Sequence, residues 1–461
     1  MIGFTLAVYP MAEGTIEHLR SAAVEIFQAG VRAADPHRAV LEALEISDCG
    51  RPVIAGEELV RGSNLRVVGF GKASVPMAVA AAEVLSAEVF PGPGVLAVNP
   101  ENRQDLERFD VFASGHPVPD AIGVAAAAAV ERYLQGRQPE DAVLLLVSGG
   151  GSALLPAPAP GITLEDKMET THLLLASGAP IQEINAVRKH LSILKGGGLA
   201  RLAYPNRLES LILSDVIGDD LSSIASGPTA PDPTTFEHVE AILARYELLD
   251  QVPPSVRQRV ERGCRGEIAE TPTTGDPVFE RVCNRLVGSN AQSLSAARRC
   301  AEDLGFQILV ASAELLGESR QAAALMAAAA RGQWDGQRPL AVLAGGETTV
   351  TLQGDGKGGR NQEMVLAFAL QSETVPLPGN WVFLSGGTDG RDGPTDAAGG
   401  VVDAGAPGRI RQAGLDPSAE MNRNNSYEAL TVAADLLMTG PTGTNVADLQ
   451  ILLFAADQLS V

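Results

Sequence analysis

The chain has 461 residues, 45% of them apolar and 20% charged, and a formal net charge of −21. That much apolar material excludes a disordered chain, and the acidic balance excludes broad binding to nucleic acid or to an anionic membrane surface. At roughly 100–200 residues per domain, two large domains are the easiest fit.

Met1–Pro10 is mildly apolar but has no basic flank and no small-residue cleavage site, so it does not read as a signal peptide. It reads as an extension or loose arm, with Met11 as the alternative start. Residues 13–46 carry apolar positions at helical spacing, broken at Asp35-Pro36, and predict two helices. A strand follows at Leu65–Val68, then the loop Gly69-Phe70-Gly71-Lys72-Ala73-Ser74, then an Ala-rich helix over 75–87. Gly94–Val98 is a second strand, 121–135 a helix, and Val143–Val147 a strand running into Ser148-Gly149-Gly150-Gly151-Ser152. Helices are expected at 164–177 and 181–203, and a strand at Leu211–Leu213 ending on Ser214-Asp215.

Residues 251–279 are rich in Pro, Thr, Gly and Glu and read as a connecting segment. Beyond it, strands at Arg285–Val287, Gln307–Val310, Leu340–Leu343 and Trp381–Leu384 alternate with helices at 291–304, 318–331 and 361–371. The expected fold is therefore α/β: two α/β domains with mostly parallel, Rossmann-like sheets. The expected division is 11–250, then 280–461. No apolar run reaches the roughly 18 residues of a spanning helix. The four cysteines have no C-x-x-C spacing. Reduced thiols and a cytoplasmic location are the expectation.

In open α/β sheets, ligands sit at the carboxyl ends of the strands, where every glycine loop here falls. Lys72 adds a point charge to a loop and helix N-terminus that already favour anions. The loop is no Walker A motif. As a dinucleotide fingerprint it fails twice, with Ser74 at the third glycine position and Asn99, not an acid, ending the next strand. From Leu340 onward the only cations are Lys357, Arg360, Arg391, Arg409, Arg411 and Arg423. Arg360, after Gly358-Gly359, is suited to grip a phosphate or carboxylate bidentately. The aspartates of Thr388-Asp389-Gly390-Arg391-Asp392, with Asp215, suit magnesium, which needs few carboxylates beside substrate phosphates. The basic turn Arg188-Lys189-His190 either faces an anion or is a solvated helix face. His116, in a loop, reads as structural. Nothing supports nucleophilic hydrolysis. Anion nests, focused cations and magnesium-type carboxylates are the parts of phosphoryl transfer.

These segments resemble the class II glycerate 2-kinases. The resemblance is carried by Gly69–Ser74, Ser148–Ser152, Asn185–His190, Leu213–Asp220, Ser226–Thr229, Gly358–Glu363 and Gly387–Gly393, and by Thr442–Leu449, which matches their C-terminal MOFRL domain (here about 338–455). It spans about residues 15 to 455. It implies two α/β domains with an inter-domain active-site cleft, and phosphorylation of D-glycerate on its 2-hydroxyl with ATP and Mg²⁺. It also implies that Lys72 and Arg360 are central. On this basis Gly69, Gly71, Ser148, Gly149, Gly150, Gly151, Ser152, Asn290, Gly358, Gly359 and Thr388 are expected to bind the cofactor. Asp389, Asp215 and Asp392 are expected at the metal, and Asp215 or Asp392 is expected to take the hydroxyl proton. Assembly is open, with a homodimer one form. Two rivals stand: an NAD(P)H-dependent hydroxypyruvate reductase and a non-catalytic phosphometabolite-binding protein.

Overall fold

The computed structural model describes residues 16–59, 64–334 and 336–456. The terminal extension and Met11 lie outside them. The chain forms two compact units. One runs from Asp35 to Ser289 and adds Gly443–Asn445. The other holds the described residues before Asp35 and most of those from Asn290 onward.

The first unit is built on six strands: Leu65–Phe70, Gly94–Val98, Phe109–Ala113, Ala142–Val147, Arg207–Leu213 and Val282–Gly288. Every neighbouring pair is parallel. Numbered in chain order, the strands lie 3-2-1-4-5-6 across the sheet. All six residues of Ala142–Val147 are buried, as a central parallel strand requires. Its side chains divide by pleat. Val143, Leu145 and Val147 pack with Ala126, Val130 and Leu134 of the helix Ala121–Gln135. Ala142, Leu144 and Leu146 pack with Met77, Ala78 and Ala81 of the helix Ser74–Val84. Each buried Leu or Val contributes about 1.5–3 kcal/mol of hydrophobic stabilisation. Asp120 starts Ala121–Gln135 by accepting from Gly123 N at 2.9 Å.

Three sequence expectations change here. Val282–Gly288 was expected in the second unit, but it is the last strand of the first sheet, beside Arg207–Leu213. Residues 251–279 are not a linker, because they carry the helix Pro254–Cys264, whose Val256 and Val260 are buried beside Val239 and Leu243. The helix expected over 181–203 is two, Ile181–His190 and Gly198–Ala203, parted where Gly196 and Gly197 take positive φ.

The second unit is also α/β, but its sheet is mixed. Gln307–Leu315 pairs parallel with Leu340–Gly346. Asp448–Phe454 then runs antiparallel between Leu340–Gly346 and Trp381–Gly387. The antiparallel strands Gly399–Asp403 and Leu436–Leu437 finish the edge. Alternation again divides the core. Leu452 and Phe454 meet Met326 and Phe368 on one face. Leu449, Ile451 and Leu453 meet Ile26, Phe27, Ala297 and Ala301 on the other. The helix Ile16–Ala33 therefore belongs to this unit, not to the domain expected over 11–250.

Candidate active site

The parallel sheet reverses its winding between Leu65–Phe70 and Ala142–Val147, and a crevice forms at the carboxyl ends of such a pair. These two strands feed the loops at Lys72 and at Gly149–Ser152. The loops are stitched together. Lys72 N donates to Gly149 O at 2.9 Å, and Ala73 N donates to Ser148 Oγ at 2.9 Å. Ser148 is buried and its hydroxyl is used in this stitch, so it fixes the loop and does not line a ligand surface as expected. Gly69 packs under Leu96 and beside Ser74, and is part of the core.

Gly149 and Gly150 are glycines for steric reasons. A Cβ on Gly149 would lie 2.1 Å from Asp215 Oδ2. Gly150 has φ +82°, and a Cβ there would lie 3.0 Å from His116 Nε2 and 3.4 Å from Lys72 Cγ. The loop thus presses its backbone against Asp215 on one side and His116 and Lys72 on the other. Burial pushes the Asp215 carboxyl above its ordinary range, opposed by its own N–H, the Lys72 ammonium and the Gly150 N–H. Burial and then Lys72 pull His116 down, against Glu101, so its imidazole is neutral at pH 7. His116, read as structural, is therefore part of this site. A cation, a desolvated carboxyl, a neutral imidazole and a glycine-backbone loop meet here. They suit an anion receiving or losing charge.

A second cluster continues from Ser152. Its Oγ lies 2.8 Å from Ser226 Oγ and 2.8 Å from Lys195 Nζ. Ser226 Oγ donates to Asn185 Oδ1 at 3.3 Å. Ala225 and Ser226 both hold positive φ, a strained stretch that aims the Ser226 hydroxyl. The Arg188-Lys189-His190 turn is no solvated face. Lys189 is buried against Asp232 at 3.3 Å, and His190 bonds Ala186 O at 2.8 Å and Glu270 at 3.2 Å.

The remaining expected residues lie in the second unit. Arg360 opens the helix Arg360–Thr374 and does grip a carboxylate with two nitrogens, but the carboxylate is the protein's own. Its Nε and Nη2 donate to Asp448 at 2.5 and 2.9 Å, and Nη1 lies 3.1 Å from Glu347. Asp448 is fully buried and holds Arg360 protonated against the cost of burial. Sequence reasoning gave Asp448 no role. Its only signal was its place in the closing Thr442–Leu449 motif.

Asp392 replaces the expected ligand at that helix N-terminus. Its oxygens accept from Asn361 N at 3.1 Å and Gln362 N at 2.8 Å, and a Cβ on Gly359 would lie 2.3 Å from its carboxyl carbon. Asp392 is 1% exposed, so it caps the helix and is not presented to a metal. Burial raises its carboxyl to about 6. Gly358 likewise packs on Ser426. Thr388 is also structural: its hydroxyl donates to Ala447 O at 2.6 Å and accepts from Val446 N at 2.9 Å. Asn290 Nδ2 donates to Val446 O and Asp448 O at 2.8 and 2.9 Å, holding the strand that carries Asp448. Asp389 is half-buried and accepts from Arg391 N at 2.9 Å.

Among the described residues no three His, Cys, Asp or Glu side chains gather into a metal cage. Magnesium asks for less, one or two carboxylates with water and phosphate. Asp215 in the first unit and Asp389 in the second are each only half-buried carboxylates of that kind, whereas Asp392 is buried as a helix cap.

Residues 22–261 match the family model described as "Domain of unknown function (DUF4147)", and residues 340–448 match the MOFRL family. The glycerate 2-kinase of Pyrococcus horikoshii is 41% identical over 94% of this chain and 97% of its own. A protein of Agrobacterium vitis named a putative hydroxypyruvate reductase is 41% identical over 93% of both chains. The crystal structure of a glycerate kinase from Thermotoga maritima superposes with a TM-score of 0.83 at 36% identity, covering 95% of this chain and all of that one.

Proposed function

The chain belongs to the glycerate 2-kinase family that carries a MOFRL domain, and from that membership we propose that it transfers the γ-phosphoryl group of ATP to the 2-hydroxyl of D-glycerate. The observation that carries the reading is the Asp215–Gly149–Gly150–Lys72 arrangement at the winding reversal of the parallel sheet.

Each group has a role that follows from its surroundings. Asp215, desolvated and raised, is the base that accepts the proton of the attacking hydroxyl. Lys72 neutralises charge on the transferring phosphoryl group, and it keeps Asp215 from rising further. The Gly149–Gly151 backbone cradles phosphoryl oxygens. His116, a neutral donor or acceptor, orients the acceptor. In the other unit Arg360 is a fixed cation, with Asp448 and Glu347 occupying only part of its five N–H donors. Asp389 is the carboxylate there that would hold magnesium. When bound, that ion neutralises and aligns the phosphate oxygens.

The hydroxypyruvate reductase reading has the name of the Agrobacterium vitis relative in its favour. Against it, the second strand is followed by Asn99, which is 8% exposed and bonds Glu101 at 2.7 Å, where a dinucleotide ribose would require an acid. A coupled assay of ADP release with D-glycerate, ATP and Mg²⁺, with the product resolved as 2- or 3-phosphoglycerate, tests the proposal. ADP with 2-phosphoglycerate supports it. NADH oxidation by hydroxypyruvate without ADP release overturns it.

A further inference from the structure

We propose that Arg188, backed by Lys195, binds the carboxylate of the phosphoryl acceptor. The inference deepens the glycerate reading and rests on it.

Lys195 bonds Ser152 directly, Arg188 reaches it through Asn185 and Ser226, and Lys167 is close enough to feel Arg188 and to act on Lys195. Lys195 and Lys167 are buried, 3% and 7% exposed. Their ammonium groups meet only neutral oxygens: Lys195 on Ser152 O and Oγ, both at 2.8 Å, and Lys167 on Pro156 O at 2.7 Å. Arg188 has a single long contact, 3.5 Å to Asn185 Oδ1. No ion pair to any of the three exists among the described residues. The neighbouring Lys189 shows what a settled cation looks like here, since Asp232 meets it directly.

The cations also press on one another. Burial and then Arg188 hold both lysines well below their usual range, and burial pulls down Arg188 itself. A desolvated cation cluster with no anion is costly, and supplying the anion removes that cost. Arg188 is the one residue of the three that is not fully buried. It is therefore the cation an incoming anion can reach.

The position selects the anion. Ser152 Oγ bonds Lys195 and lies two residues beyond Gly150, so the cluster starts within about 7 Å of the loop beside Lys72 and Asp215. In a 2-hydroxy acid the carboxylate is attached to the carbon that bears the reacting hydroxyl. A carboxylate held at Arg188 fixes the 2-carbon directly, and the 3-hydroxyl only through one more rotatable bond, so the 2-hydroxyl is the better positioned of the two. Planar two-oxygen recognition is what a guanidinium does best.

The test is the full-length enzyme with Arg188→Gln and Arg188→Lys, assayed against D-glycerate and its neutral amide. The expected result is a KM for D-glycerate raised about 10- to 100-fold in Arg188→Gln, a smaller fall in kcat, and an intermediate KM in Arg188→Lys. Turnover of the amide should fall no further. An unchanged KM in both folded variants, or equal losses for acid and amide, overturns the inference. If Arg188→Gln does not fold, Arg188→Lys and Lys195→Met decide on the same criteria. Failure of the kinase reading is seen separately, as no ADP release by the wild type. Calorimetric titration of glycolate, the smallest 2-hydroxy acid, then decides for Arg188. Binding lost in the variant supports the site, and equal binding overturns it.

Discussion

Replacing Gly149 by Ala isolates the position of one carboxylate. The new Cβ would stand 2.1 Å from Asp215 Oδ2, 2.5 Å from its Cγ and 3.0 Å from its Cβ. Ordinary van der Waals contact begins near 3.4 Å, so the carboxylate must retreat by more than about 1 Å. Gly149 is not among the residues with positive φ, so Ala can adopt its backbone. The damage therefore falls on Asp215. Overpacking of this kind costs about 1–3 kcal/mol of stability. A 1 Å displacement of a reacting group costs about 100-fold in rate. The assay is kcat for ADP release, with Tm measured alongside, for Gly149→Ala, Asp215→Asn and the double variant. If Gly149 acts through Asp215, kcat falls about 100-fold in Gly149→Ala, and the double variant is no slower than Asp215→Asn alone. A folded Gly149→Ala protein with wild-type kcat, or a double variant that multiplies the two losses, would refute the assignment of Asp215 as the base.

Lys72→Ala should lower kcat about 100- to 1,000-fold with little change in Tm, because Lys72 is half-exposed and forms no ion pair among the described residues. Lys72 holds Asp215 down, so its loss should also move the acid limb of the kcat/KM profile to higher pH; a limb that stays put rejects the pairing. Asp448→Asn leaves a partly buried guanidinium short of its charged partner, and should destabilise the second unit by about 1–3 kcal/mol, read from denaturant unfolding. Asp392 ionises at about 6 in the folded chain and at about 3.8 otherwise. A raised carboxyl contributes stability that is present below pH 4 and lost as pH rises through 6. Wild type should therefore lose on the order of 3 kcal/mol over that window that Asp392→Asn does not lose. Parallel stability curves for the two proteins would show that the helix cap is not the titrating group.

Much of the parallel-sheet unit was legible because its signals are local. Uninterrupted apolar runs such as Val143–Val147 can only be buried strands, and the loops that follow them must lie at one end of the sheet. Lys72, Gly149–Gly151 and Asp215 were identified on that basis, and the structure brings them together. The strand Asp448–Phe454 was missed because Asp448 and Gln450 interrupt its apolar pattern. With it went the antiparallel character of the second sheet and the partner of Arg360. The place of Val282–Gly288 in the first sheet was also hidden, since strand neighbours are set by packing and not by distance along the chain.

The sequence by itself determined which residues are chemically capable, because charge, glycine and aspartate reveal their chemistry without coordinates. Only the tertiary structure decided which of them are already spent. Arg360 and Asp392 looked like wholly free ligand-binding groups, yet Asp448 takes part of the first one's donors and the N-terminus of the helix Arg360–Thr374 occupies the second. Arg188 could have been an anion-facing residue or a solvated one, and it sits with two buried lysines and no acid. An ion's partner lies wherever the fold brings the opposite charge, in these cases 30 to 90 positions away, and residue spacing carries no information at that range.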